Sequence, residues 1–100
     1  MKLSSIIGSI LLFKHSGIDE KMIHNIAMYS ESTENFTFNY NDIASVIYNL
    51  SDYRACFEFK NSKIVRTSYY DNHIDIFKYK FFDALSENEK LTIYKLVSLI

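Results

Sequence analysis

The chain has 100 residues, with eleven basic and twelve acidic side chains, a formal net charge of −1 and 16% aromatic residues. One domain's worth of length supports one core without metal or disulfide staples, and a single cysteine excludes a disulfide-rich scaffold. The even charge balance, with Arg54 and Arg66 as the only arginines, argues against direct nucleic-acid binding.

The first stretch, MKLSSIIGSILLFKH, has an apolar run too short to span a bilayer. No small-residue cleavage pattern follows it, so it reads as part of the fold rather than as a secretory signal. Leu3, Ile6, Ile7, Ile10 and Leu11 fall at helical spacing and predict an amphipathic helix over 3–15. Lys14 and His15 suit its last turn, and Gly17 suits its C-cap. A second helix is predicted from about Ser16 or Ile18, with Asp19 and Glu20 in its first turn and a stripe of Ile18, Met22, Ile26 and Tyr29. The polar run SESTEN, residues 30–35, predicts a loop.

From residue 36 the hydrophobic period changes. Phe36, Phe38 and Tyr40 alternate with polar residues, as in a half-buried strand. Residues 43–50 fit either a helix capped by Asp42 or a second strand. Residues 53–60 and 63–70 predict a β-hairpin around Asn61-Ser62, pairing Lys60 with Lys63, Phe59 with Ile64 and Phe57 with Arg66. Arg66 then falls on the apolar face. That position is accommodated at the sheet margin by stacking on Phe57, or else the register slips by one. Asp71-Asn72 predicts a further turn, and HIDIFKYKFF, residues 73–82, a further strand with a phase shift near Phe77. Ser86-Glu87-Asn88-Glu89 is a capping-box pattern opening a C-terminal helix, with a stripe of Leu91, Tyr94 or Ile93, Val97 and Ile100. The expected fold class is therefore α+β. It comprises an N-terminal helix or helical hairpin, a central antiparallel β-meander over about residues 36–80, and a C-terminal helix packed on the sheet.

The chemistry is thinner than the fold. There is no Gly-rich phosphate loop, no GxSxG and no HExxH. His73 with Asp71 or Asp75 is the one local pairing that suits general-base catalysis, and a metal there lacks a third nearby ligand. Tyrosine and arginine are enriched in binding hot spots, and eight tyrosines exceed what a core of this size needs. The expected partner-binding residues are Arg54, Glu58, Tyr69, Tyr70, Asp71, His73 and Asp75. They suit a non-enzymatic inhibitor or immunity-type protein that covers the active site of a basic partner such as a toxin or nuclease. No cofactor and no membrane span are expected, and the lone cysteine suits a reducing cytoplasm. A homodimer would use the same aromatic surplus or an exposed strand edge.

The run NFTFNYNDIASV, followed by a meander and a terminal helix, resembles bacterial PH-like domains. That resemblance implies a lipid- or peptide-binding module as the alternative function. A small enzyme built on His73 is the third.

Overall fold

The computed structural model describes residues 3–31 and 55–100. The predicted strand over 36–40, the helix or strand over 43–50, the PH-like run, and Tyr53 and Arg54 lie outside the described residues. What is described is α+β, with helices at both ends and a two-stranded antiparallel sheet between them.

Helix α1 spans Leu3–Phe13 and α2 spans Glu20–Glu31. The predicted stripe of α1 is the buried one: Ile6, Ile7, Ile10 and Leu11 are all inside. Gly17 ends the turn after α1 with φ +101, a conformation that penalises any side chain. A Cβ there would also stand 2.8 Å from the Ile64 carbonyl oxygen. That closeness lets Ile18 exchange two backbone hydrogen bonds of 2.9 Å with Ile64, so the α1–α2 link is stitched to the hairpin. Asp19 caps α2, its carboxylate accepting from the Met22 N–H at 2.9 Å.

Strands β1, Phe57–Lys60, and β2, Lys63–Arg66, pair in the predicted register. Asn61 and Ser62 have φ of 52° and 63°, the left-handed pair that a two-residue hairpin with native twist demands. Phe57 and Ile64 are buried, and Phe59 is exposed near the tip.

Beyond Arg66 the structure departs from the predicted meander. The strand does not continue to Tyr70, and residues 73–82 are not a strand. Thr67 turns the chain instead. Its N–H bonds the Cys56 carbonyl at 3.0 Å, and its hydroxyl donates to the Ala55 carbonyl and accepts from the Tyr70 N–H. Two short helices follow, α3 over Ser68–Asn72 and α4 over Ile74–Lys78, broken at His73 with φ −124° and ψ 33°. A π-helical segment, Tyr79–Asp83, completes the run. The physical reason is that Tyr70, Ile74, Phe77 and Phe81 fall at i, i+4, i+7 and i+11, one helical stripe that reaches the core. The strand-like alternation was coincidental, since Ile76 and Tyr79 point to solvent. The π segment adds a residue per turn, and both Phe81 and Phe82 are buried there.

Four rings form a column in the core. Tyr70, Phe77 and Phe81 stack with centroids 5.4–6.0 Å apart, and Phe57 lies 5.7 Å from Phe81. Helix α1 lies against this column through its small residues. A Cβ on Gly8 would come within 2.4 Å of the Phe81 ring, and Ser9 Oγ donates to the Phe81 carbonyl at 2.7 Å.

Helix α5, Glu87–Leu99, opens with the predicted capping box: Ser86 accepts from the Glu89 N–H at 3.2 Å and Glu89 accepts from the Ser86 N–H at 2.9 Å. These bonds hold the Glu89 carboxyl below its ordinary range, against a smaller opposing effect of burial. Among the described elements, α5 packs chiefly on α1 and α2 rather than on the sheet. Its buried face is Thr92, Ile93 and Leu96, with Val97 and Ile100 packed against the core, so of the predicted stripe Leu91 and Tyr94 are exposed.

Candidate partner-binding surface on residues 68–83

The helical turn after β2 determines which of the expected residues meet. Tyr69, His73 and Ile76 follow one another at i, i+4 and i+7, with Tyr79 one turn beyond Ile76. Tyr69 is 50% exposed, Ile76 62% and Tyr79 66%. The Tyr69 and His73 rings lie 4.6 Å apart, and His73 Nδ1 donates to the Tyr69 carbonyl at 2.9 Å. Both rings rest on Phe77, at 5.7 and 6.4 Å. The outward rings are therefore seated on the core column rather than hanging from a loop.

Asp75 is exposed on α4, beside Ile76. Asp71 is half committed to the fold, with its Oδ1 2.8 Å from Arg66 Nε. Neither that pairing nor the His73–Tyr69 bond joins His73 to a carboxylate. Glu58 sits on a separate element, exposed on β1 opposite Val65.

Tyr70 is removed from the surface: it is wholly buried, and its hydroxyl donates to the Gly8 carbonyl at 2.8 Å. Burial pushes its phenol far above the ordinary range, with Arg66 pulling the other way and Cys56 and Asp71 adding to the rise. Tyrosine composition suggested a surface anchor, but an i+4 and i+7 match to Ile74 and Phe77 marks Tyr70 as core.

Ile76 was not among the expected surface residues, and Arg66 was expected only to stack on Phe57. Ile76 is exposed only because the segment is helical. Arg66, awkward on an apolar strand face, is a hub. Its guanidinium lies 5.6 Å from the Tyr70 ring centroid, donates to the Leu11 carbonyl at 3.3 Å, and comes within 3.2 Å of both His15 ring nitrogens. Its Nε–H has no partner in hydrogen-bond geometry, although Asp71 lies close. The aromatic that accommodates it is thus Tyr70, not Phe57.

Among the described residues, no three His, Cys, Asp or Glu side chains gather as metal ligands, and no helix is long and apolar enough to cross a membrane. Comparison with protein-family models, curated proteins and solved structures finds no match.

Proposed function

We propose that this protein is a small non-enzymatic inhibitor or immunity-type domain that docks the outer face of residues 69–79 onto one macromolecular partner and covers that partner's active site. One observation carries the reading. Tyr69, Ile76 and Tyr79 are half to two-thirds exposed along the short helical segments after the hairpin, and the Tyr69 ring is seated on Phe77 of the aromatic core. Large side chains already held in place lose little freedom on binding, so more of their burial energy appears as affinity. Asp75 beside them, with Glu58 on the hairpin, suits a basic partner such as a toxin or nuclease. The Cys56 thiol is buried, and desolvation raises its pKa against a smaller lowering by Lys80, so it suits a reducing cytoplasm as a structural residue.

The test uses Ile76→Asp and Tyr79→Asp, exposed positions where the fold tolerates charge. Wild-type protein should retain a stoichiometric partner from its native lysate and inhibit it at a one-to-one ratio. Each variant should keep its helical circular dichroism and lose at least about tenfold in affinity, as hot-spot replacements do. Unchanged retention by both variants would remove this face from the function.

A further inference from the structure

A second cluster of rings lies where three elements meet. Phe13 ends α1, Phe82 belongs to the π segment and Tyr94 is mid-way along α5. Their ring centroids are 5.5, 5.7 and 5.6 Å apart, and the ring planes stand at 80°, 61° and 74° to one another. Together with Leu12, Lys78 and Asp83 they line a cleft of about 370 Å³. Phe82 is buried at its base, whereas Phe13 and Tyr94 remain 43% and 49% exposed. Half-exposed rings that already touch one another are not simply filling the core.

We propose that this cleft binds a small quaternary ammonium compound of the choline type. The three rings that line the cleft carry negative quadrupole potential on their faces, which attracts a weakly hydrated cation. The charges around it agree with that sign. Asp83 contributes a carboxylate, and both Phe13 and Asp83 stand at C-terminal ends of helical segments, where the backbone dipole is negative. Phe82 already has an ammonium 5.9 Å from its centroid, that of Lys90, which is held by Glu87 and does not line the cleft. Lys78 is the opposing charge. It weakens the site without closing it, because its long stem lets the ammonium swing into solvent. A quaternary head fits better than a primary amine, since it needs no hydrogen-bond acceptors from apolar walls.

The experiment titrates the full chain with choline chloride while the ring protons of Phe13, Phe82 and Tyr94 are followed by NMR. The uncharged isostere 3,3-dimethylbutan-1-ol is titrated in parallel. Choline should shift those signals to saturation and bind about fivefold or more tightly than the alcohol, the margin a cation–π contribution supplies. Tyr94→Leu and Asp83→Asn should weaken choline binding, Tyr94→Phe should preserve it, and Lys78→Gln should strengthen it. Equal affinity for the alcohol would reduce the site to an apolar cleft and overturn the proposal. Ring signals unmoved by choline up to about 0.1 M, weaker than any useful affinity, would overturn it as well.

Discussion

At the residue scale, two positions hold the core in its present form. Tyr70 is a phenol kept neutral by burial, with its hydroxyl donating a hydrogen bond to the Gly8 carbonyl. Its folded pKa is raised, so its contribution to stability is complete below the ordinary tyrosine value of 10.0 and is lost as pH climbs above it. An alkaline titration followed by phenolate absorbance should therefore show Tyr70 ionising only with unfolding. Tyr70→Phe should remove that late step. Gly8 is the other position. With the Phe81 ring 2.4 Å from the place of its missing Cβ, Gly8→Ala forces α1 off the aromatic column. It should cost about 1–3 kcal/mol of unfolding free energy in urea, as overpacking does. Glycine's role here is close approach, which a one-dimensional reading had no means to see.

At the element scale, the helices at the two ends and the hairpin were legible, and the run after the hairpin was not. The capping box at Ser86 was explicit in four letters, because its hydrogen bonds are local. Ser86→Ala should cost about 1 kcal/mol, visible as a lower urea midpoint with an unchanged slope. Asn61-Ser62 likewise marked the turn, and of the two registers left open the one with a two-residue turn puts both Phe57 and Ile64 on the buried side. Residues 68–83 carried two overlapping patterns, alternation and a helical stripe. Strand propensities of aromatic and β-branched residues span only about 1 kcal/mol, less than the burial of one large side chain. The decision between the patterns lay with whichever conformation could bury Tyr70, Phe77, Phe81 and Phe82 together. The phase shift near Phe77 was the visible trace of that choice. Its consequence for the candidate surface was direct: Tyr70 moved inside, Ile76 moved outside, and Tyr69 and His73 became neighbours.

At the scale of the whole molecule, Arg66 connects pieces that are far apart in sequence. It touches the end of α1 through the Leu11 carbonyl, His15 in the following turn, and Tyr70 and Asp71 on α3. Arg66→Gln should destabilise by about 1–3 kcal/mol, the range for a partly buried charged hydrogen-bonding group. Unfolding should remain one cooperative transition by circular dichroism and by tyrosine fluorescence, because the link joins elements of one core. A separate early transition of the α1 signal would show that Arg66 holds two independent units together. From the sequence alone came the α+β class, the two N-terminal helices, the hairpin with its turn at Asn61-Ser62, and the capped C-terminal helix. All of these rest on hydrogen bonds and periodicities within about a dozen residues. Only the tertiary structure decided that residues 68–83 are helical, that α5 lies on α1 and α2, and which aromatic rings face solvent. Those outcomes depend on contacts such as Ser9 with Phe81 and Gly8 with Tyr70, separated by 72 and 62 positions along the chain. Burial across such distances outweighs local preference, and no local pattern encodes it.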